Sequence, residues 1–416
     1  MKRVLLPILF FLFLVSKGFA QDLKTYLEIA VQNNPGLQAE YKAYQAAMER
    51  IPQAASLPDP QLSLGYFLVP IETRIGPQQA RLSLTQMFPW FGTLVHQKNT
   101  AALEAQARFQ HFLQAQNKLE YDVAAAYYRL YELQAYRALE TEFIALLETY
   151  KVLCNTQLAA GKVSLTQCLR VDILLENTRT ELNILTQKRK VHTAAFNSLL
   201  NRVSDAVVVV PKALAIPNLN AAVFDKKVSL ENPELVRLQL AEQAAASKEK
   251  VAIKKGLPQI GIGLDYLFIG TRPVENLNDN GKDAWLPKIS VSLPVFRKKY
   301  KAAQRRAAYE QEGLVFQREA VYNALNQSLI EVDFKIQTQQ EYLKLYARQI
   351  QNAEQSLRLS KAGYDTSQTP FEALLEVEQQ ILRYRKTKAK SLALLYMAMA
   401  ERNYIVYSQN ENEPSI

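Results

Sequence analysis

The sequence predicts a mainly α-helical protein with a membrane β-barrel part, and three observations support this fold class. Two stretches of about 65 residues, Thr93 to Leu158 and Lys298 to Ala362, contain no proline, and only Gly313 interrupts them. At 1.5 Å per residue, each stretch predicts one helix of roughly 100 Å. Each follows two short segments of alternating polarity, which is the pattern of β-strands. The same order of segments occurs twice along the chain.

The first twenty residues have the three parts of a secretory signal peptide. Lys2 and Arg3 are basic, residues 4–15 are apolar, and small residues precede a cleavage site predicted between Ala20 and Gln21. A membrane anchor is the alternative, but the apolar run is shorter than the roughly 20 residues that span a bilayer. We therefore expect residues 1–20 to be removed from an exported protein.

Composition and motifs argue against several classes of function. The chain has a formal net charge of +10, but its basic residues alternate with acidic ones along the predicted helices, so no nucleic-acid partner is expected. His96, His111 and His192 lack the spacing of metal ligands, and no phosphate-binding loop or nucleophile motif is present. The sequence thus predicts neither an enzyme nor a cofactor.

The chain contains an internal repeat with an offset of about 200 residues. The first repeat is predicted over 21–202 and the second over 228–408, each with a short helix, two strands, a long helix and a returning helix. An equatorial linker is predicted over 203–227, and a disordered tail over 409–416. The matching motifs are Asn33-Asn34-Pro35 with Glu231-Asn232-Pro233, Leu57-Pro58 with Leu257-Pro258, Phe88-Pro89-Trp90-Phe91 with Leu293-Pro294-Val295-Phe296, and Ala160-Gly161 with Ala362-Gly363.

The four predicted strands alternate between apolar and polar residues, most clearly over Ile260 to Phe268. Their length of about 9–11 residues suits a tilted strand that crosses a bilayer, although a soluble sheet with one solvated face is the alternative. Four strands cannot close a barrel, and hydrocarbon does not tolerate an open sheet edge. Three copies of the chain would supply twelve strands. The connections Val69 to Gln78 and Ile269 to Ala284 are predicted to be polar outer loops.

Each long helix is predicted to turn back at a glycine. Gly161 precedes a helix from about Leu165 to Asn201, and Gly363 precedes one from about Pro370 to Tyr407. Glycine readily adopts the left-handed conformation that ends many helices. Apolar residues at spacings of three and four predict that the resulting antiparallel hairpins pack as in coiled coils.

Two cysteines lie at equal distances from the first predicted turn. Cys154 is seven residues before Gly161, and Cys168 is seven residues after it. An oxidising compartment permits a disulfide between them. Packed helix axes lie 8–10 Å apart, whereas a disulfide requires Cα atoms about 5.5–6 Å apart. The sequence leaves the bridged and the free state open.

These motifs together resemble those of the bacterial outer-membrane efflux proteins, the TolC-like family, over essentially the whole mature chain. The segments that carry the resemblance are Leu57-Pro58-Asp59-Pro60, Phe88-Pro89-Trp90-Phe91-Gly92, the repeated Asn-Pro and the two tip glycines. The resemblance implies a homotrimeric 12-strand barrel in outer-membrane lipid and an α-helical tunnel across the periplasm. It also implies a passive exit duct that couples to an inner-membrane pump through a periplasmic adaptor. Neither the sequence nor the resemblance identifies the exported substrate.

The resemblance also implies which residues act at the tip. Family members carry acidic residues shortly after the second tip glycine, and these residues form rings that narrow the pore; Glu372 and Glu376 lie at the matching positions. The chain departs from the family pattern at Asp365 and Gln167, where a basic and an acidic residue are common. We expect a tip ion pair with exchanged charges, Lys162 to Asp365, so that replacing either residue by alanine increases leak through the closed pore.

A secreted or surface-attached helical scaffold without a pore is the alternative function. Such a coiled-coil spacer accounts for the long helices but not for the paired strands at matching positions. Migration as a heat-resistant trimer, together with outer-membrane fractionation, distinguishes the two.

Overall fold

The computed structural model describes residues 22–218, 224, 227–365 and 369–407, with the backbone alone at residue 365. The predicted signal peptide 1–20 and the predicted tail 409–416 lie outside these residues. The helices and strands, in chain order, are α1 (Leu23–Asn33), α2 (Pro35–Ala55), β1 (Gln61–Thr73), β2 (Gly76–Phe88), α3 (Thr93–Ala159), α4 (Leu165–Leu199), α5 (Pro233–Lys255), β3 (Gln259–Ile269), β4 (Ala284–Ser292), α6 (Arg297–Asp365) and α7 (Phe371–Val406).

The two long helices, α3 and α6, begin and end within a few residues of their predicted bounds. α3 has 67 residues and α6 has 69. Gly313 does not break α6, and a Cβ added there would have no neighbour within 4 Å. The order of helix, two strands and two helices occurs twice, from α2 to α4 and from α5 to α7.

The four strands form one antiparallel sheet in the order β1-β2-β3-β4. The prediction of a loop over Val69 to Gln78 is wrong, because β1 and β2 extend to Thr73 and Gly76 and leave a two-residue turn. Gly76 permits this tight turn: its φ is 136°, and an added Cβ would clash with the carbonyl group of Gly270. The longer connection between β3 and β4 lies close to its predicted bounds.

The chain divides into two compact units, to which α3 and α6 both contribute. The sheet unit comprises Pro35–Tyr121, Asn218–Gln337 and Ala398–Ile416. This unit contains the four strands together with α2, α5 and the first parts of α3 and α6. Thr100 of α3 donates a hydrogen bond of 2.9 Å to Ser247 of α5 in a buried contact.

The hairpin unit comprises the described parts of Met1–Asn34, Asp122–Pro217 and Thr338–Met397. Near the helix ends, α3, α4 and α7 share one buried apolar cluster, whose members include Phe143, Leu147, Val171 and Leu374. Burial of such side chains stabilises each by about 1.5–3 kcal/mol, which is why these helix ends hold together.

The predicted linker 203–227 is non-helical where the structure describes residues 203–218. Val208 and Val210 are buried there, and the hydroxyl of Tyr26 accepts a 2.9 Å hydrogen bond from the Val209 N–H. The side-chain amide of Asn197, fully buried, donates to the carbonyls of Ser204 and Ala206. This segment is therefore fixed against the hairpin unit.

Candidate functional site

The sheet has one apolar face, and that face is largely exposed in the single chain. The cross-strand pairs bring apolar residues of all four strands together, because residues of one parity along each strand share a face. Leu64 and Ile289 of this face, for example, are 73% and 78% exposed. The face comprises Leu62, Leu64, Tyr66, Leu82, Leu84, Ile260, Ile262, Leu264, Tyr266, Trp285, Ile289 and Val291.

The opposite face of the sheet is polar and carries a buried ionic group. Asp265 of β3 is fully buried and forms ion pairs with Arg81 of β2 and Lys288 of β4, the latter at 2.8 Å. Ser83 lies directly opposite Asp265 in the register. A buried carboxylate requires such partners, since desolvation of an isolated charge is costly. Three adjacent strands are thus joined by one charged cluster.

Aromatic rings gather near the ends of the strands. Tyr266 contacts Phe268 and Trp285, each with ring centroids 4.8 Å apart, near the β3–β4 connection. Trp90 and Phe91, whose centroids are 6.1 Å apart, follow the other end of β2. Aromatic side chains at both ends of an apolar band are typical of strands that cross a membrane, because these rings favour the interface between lipid and water.

Helices α6 and α4 each carry an exposed apolar stripe. On α6, within the sheet unit, Tyr309, Phe316, Ile330 and Phe334 are 62–71% exposed and recur at spacings of 7, 14 and 4 residues. Such spacing places them on one helix face. The α4 stripe, in the hairpin unit, consists of Leu165, Leu169, Ile173, Ile184 and Val191. Large exposed stripes of this kind mark surfaces for association.

The first hairpin turns at Gly161, whose φ of 71° lies in the left-handed region. The N–H of Lys162 donates to the Gln157 carbonyl at 2.9 Å, which closes the hydrogen-bond pattern of a Schellman cap. The N–H of Ser164 and its hydroxyl form a capping box with Gln167, which begins α4. A sharp, well-capped turn therefore joins α3 to α4.

A disulfide joins Cys154 of α3 to Cys168 of α4 close to this turn, and the Cα atoms are 5.6 Å apart. This separation is shorter than the distance between packed helix axes, because Cα atoms on facing sides each stand about 2.3 Å from their own axis. The geometric argument against a bridge therefore does not apply to this facing pair.

The second hairpin turns differently from the prediction. Gly363 does not end α6 in a left-handed conformation, because the helix continues to Asp365. Instead the Gly363 carbonyl accepts a hydrogen bond of 3.1 Å from the Thr369 N–H, and an added Cβ would clash with the Thr369 hydroxyl. The glycine thus permits a close approach of two segments rather than an unusual φ.

The predicted constriction residues lie in the first turns of α7. Glu372 accepts a hydrogen bond of 3.2 Å from the side-chain amide of Gln167, which links the first turns of α4 and α7. Glu376 is exposed. Lys162 is also exposed, whereas the side chain of Asp365 lies outside the part of the chain that the structure describes, so the expected Lys162–Asp365 pair stays a prediction.

A third acidic residue of α7, Glu378, was missed by the sequence analysis. Its carboxylate is buried, accepts a 2.9 Å hydrogen bond from the Tyr150 hydroxyl and lies 3.3 Å from the Lys361 ammonium. Burial, followed by the nearby Glu378 carboxylate, raises the pKa of Tyr150, so the phenol stays a donor at neutral pH. The sequence did carry a signal, because Glu378 stands at helical spacing from all three of the apolar residues Leu374, Leu375 and Ile381, whereas Glu372 and Glu376 do not.

The part of the chain that the structure describes lacks two other kinds of functional feature. These residues include no group of three or more His, Cys, Asp or Glu side chains arranged to bind a metal. His111 instead lies 2.8 Å from Glu40. Among the described residues, no helix is both long and apolar enough to span a bilayer.

The sequence and the fold can both be compared with those of known proteins. Residues 226–400 match the sequence profile described as outer membrane efflux protein. The predicted family resemblance is confirmed. The same match supports the outer-membrane location that was predicted. No curated protein matches the chain significantly in sequence.

Solved structures of outer-membrane proteins share the fold of this chain. The outer membrane protein VceC of Vibrio cholerae superposes with a TM-score of 0.76 at 16% identity, covering 92% of this chain and 95% of its own. The CmeC outer membrane channel of Campylobacter jejuni gives 0.72 at 13% identity, covering 92% and 85%. The MtrE outer membrane channel of Neisseria gonorrhoeae gives 0.71 at 16% identity, covering 92% and 88%. At sequence identities this low, the structural similarity establishes the fold alone.

Proposed function

We propose that three copies of this chain form an outer-membrane channel-tunnel that serves as the exit duct of a tripartite efflux system. The duct is a passive conduit, gated at its helical tip. The observation that carries the proposal is the two-faced sheet, which presents an exposed apolar surface on one side and the Asp265 cluster on the other. A sheet of this kind needs lipid outside and water inside.

The order of the strands allows copies to complete one another. β1 and β4 are the two edges of the sheet, and every neighbouring pair is antiparallel. With four alternating strands, β4 of one copy is antiparallel to β1 of the next. Twelve strands from three copies therefore make a closed antiparallel barrel without an exposed edge. The helical scaffold alternative does not account for this sheet.

The exposed stripes on α4 and α6 supply the helical contacts between copies. A head-to-tail interface uses different surfaces on its two sides and closes into a ring when the rotation fits. Apolar stripes at heptad-like spacing suit such side-by-side helix packing. The stripes on α4 and α6 are thus covered in the trimer.

We place the gate at the hairpin tips. Glu372 and Glu376 are proposed to form rings of three carboxylates that narrow the pore and attract cations, as the family resemblance implies. Within one chain, Gln167 of the first hairpin donates a hydrogen bond to Glu372 of the second hairpin. The proposed Lys162–Asp365 pair joins the two turns, so alanine at either position increases leak. The tip also docks a periplasmic adaptor, which connects the duct to an inner-membrane pump.

Outer-membrane fractionation and reconstitution test this proposal. Tagged protein is expected in the outer-membrane fraction, as a trimer in detergent that resists mild heating. Purified trimers are expected to produce discrete conductance steps in planar lipid bilayers. A monodisperse single copy in detergent, with no conductance, would contradict the channel.

A further inference from the structure

The helix ends that adjoin the sheet are strongly basic. The strand register places the four adjoining ends of α2, α3, α5 and α6 at the same end of the strands, opposite the β1–β2 turn. We define the basic collar as the eight helical residues nearest the sheet on each helix, 48–55, 93–100, 248–255 and 297–304. The collar contains ten cationic and two acidic side chains, namely Arg50, Lys98, Lys248, Lys250, Lys254, Lys255, Arg297, Lys298, Lys299 and Lys301 with Glu49 and Glu249.

The net charge of the chain is concentrated in this collar. The whole chain has a formal net charge of +10, and Lys2, Arg3 and Lys17 of the predicted signal peptide supply three of these charges. The collar alone carries +8, so the other residues of 21–416 sum to −1. Like charges gathered at one level of a protein repel one another, so this segregation calls for an anionic partner at the collar.

The stability of the individual helices does not account for the charge. Lys254 and Lys255 lie in the last turn of α5, where the helix dipole favours cations. Arg297 and Lys298 instead occupy the first turn of α6, where the dipole opposes them. Lys250 and Lys254 are four residues apart, and a like-charge pair at this spacing also costs stability. These positions therefore require another reason for their charge.

An exposed apolar rim lies between the strands and the collar. Phe91, Val295 and Phe296 follow the ends of β2 and β4, and each is 78% exposed. Lys254 extends to this rim, because its Cε lies 3.9 Å from the position of a Cβ added to Gly92. Cations on the water side of an apolar and aromatic band are typical of a bilayer interface. There the lysine stems lie along hydrocarbon and the ammonium groups contact the lipid headgroups.

We propose that the basic collar binds the anionic headgroups of phospholipids in the periplasmic leaflet of the outer membrane. The inference rests on the proposed channel function, because it requires the apolar face of the sheet to lie in the bilayer. Eight helical residues span about 12 Å, and the headgroup region on each side of the hydrocarbon is about 5–8 Å deep, so long side chains bridge the difference. Clusters of basic residues beside a membrane attract anionic lipid in this way. A phospholipid fits better than free phosphate, because its acyl chains also cover the apolar rim.

Two tryptophans allow the two ends of the sheet to be examined separately. The sequence contains only Trp90 and Trp285. Trp90 contacts Phe91 in the rim, whereas Trp285 contacts Tyr266 near the β3–β4 connection, at the other end of the strands. Trp285→Phe leaves Trp90 as the reporter, and Trp90→Phe leaves Trp285. Brominated lipids quench tryptophan on contact, so trimers reconstituted with brominated phosphatidylglycerol or phosphatidylcholine report the headgroup preference at each end.

The quenching experiment has a definite expected result. The Trp90 protein is expected to prefer phosphatidylglycerol at least about two-fold in about 0.1 M potassium chloride. It should lose this preference in about 1 M salt, because the screening length falls from about 10 Å to about 3 Å. The Trp285 protein is expected to show no preference at either concentration. Inorganic phosphate added at constant ionic strength should leave both results unchanged.

Helix α5 offers a charge variant for the Trp90 protein. Lys250→Gln with Lys254→Gln is expected to reduce the preference at least about two-fold, because both lysines lie within about 40° of each other on the helix. The exposed stripes assigned to contacts between copies lie on α4 and α6, so this variant leaves them intact. The matched control, Lys24→Gln with Lys390→Gln, changes two exposed lysines of the hairpin unit and should retain the full preference.

The outcomes separate this inference from the channel proposal. If neither brominated lipid quenches either tryptophan, the sheet does not lie in lipid and both proposals are overturned. Quenching at Trp90 without a headgroup preference, or with one that Trp285 shares, overturns the collar while the channel stands. So does a preference that survives the α5 variant or is lost equally in the control pair. Loss of the preference on adding phosphate would assign the cations to free phosphate instead. Should the α5 variant fail to form trimers, the salt dependence of the Trp90 protein decides the result.

Discussion

Glu378 is a buried carboxylate whose two partners, Tyr150 and Lys361, lie on different helices. A hydrogen bond to a charged group contributes about 1.5–3 kcal/mol, so Tyr150→Phe is expected to reduce the free energy of unfolding by that amount. Heat- or denaturant-dependent circular dichroism of the purified protein measures the change. Because the folded-state pKa of Tyr150 is raised from 10.0, its stabilisation is present below pH 10 and is lost at higher pH.

A matched control for this substitution is Tyr342→Phe, which removes the same hydroxyl from an exposed ring on α6. Its stability is expected to stay within about 0.5 kcal/mol of the unmodified protein. Equal losses for both variants would contradict a special role of the Tyr150–Glu378 hydrogen bond.

Gln167 holds the proposed gate residue Glu372 through a single side-chain contact. Gln167→Glu keeps the size of the side chain but places a second carboxylate beside Glu372, and like charges at this distance repel. We expect a several-fold increase in leak conductance at neutral pH. Single-channel recording of the variant and the unmodified protein measures it.

The control for the gate variant is Gln351→Glu, the same change at an exposed position of α6. It is expected to leave the leak unaltered. A leak of Gln167→Glu that equals that of the unmodified channel, or one reproduced by Gln351→Glu, would contradict a role of Gln167 and Glu372 in gating.

At the scale of elements, the disulfide fastens α3 to α4 next to their turn. A cross-link that closes a loop of about 15 residues stabilises the folded state by about 3 kcal/mol in the chain-entropy model. Dithiothreitol, or Cys154→Ser with Cys168→Ser, is therefore expected to lower the melting temperature of the purified protein by several degrees. The double variant should be insensitive to dithiothreitol; a reductant effect that persists in it would point to another cause.

The helices were predictable from sequence to within a few residues because their ends coincide with prolines and glycines. Pro35, Pro233 and Gly161, for example, stand beside helix ends in the structure. The β1–β2 turn was not predictable in this way, since its tightness depends on the approach of Gly76 to Gly270. Those residues are far apart in the chain, and no local pattern reports their contact.

The residue types of the candidate site could be predicted from sequence, but the partner of each charged residue could not. The alternation of β3 predicts that Asp265 lies on the polar face, yet its partner Arg81 is 184 residues away in sequence. The apolar spacing of α7 places Glu378 on the buried face, but its hydrogen-bond donor, Tyr150, belongs to another hairpin. Periodicity along one helix cannot identify such a long-range partner.

For the whole molecule, association into the proposed trimer is the property on which the proposed function depends. Ile330 lies in the exposed α6 stripe, so Ile330→Lys is expected to place a charge in the interface and shift purified protein from trimer to monomer. Analytical ultracentrifugation in detergent measures this shift. Gln317→Lys, at an exposed position about 140° around α6 from Ile330, serves as the charge control and should stay trimeric; a fully trimeric Ile330→Lys would exclude the stripe from the interface.

The brevity of the β1–β2 turn has a practical consequence. Only two residues separate those strands, whereas 270–283 joins β3 to β4. In the proposed orientation each subunit therefore shows the cell exterior a single segment of useful length. An epitope inserted near Asn276, whose φ of 62° marks a bend in that segment, would let antibodies count and localise the assembled ducts on living cells.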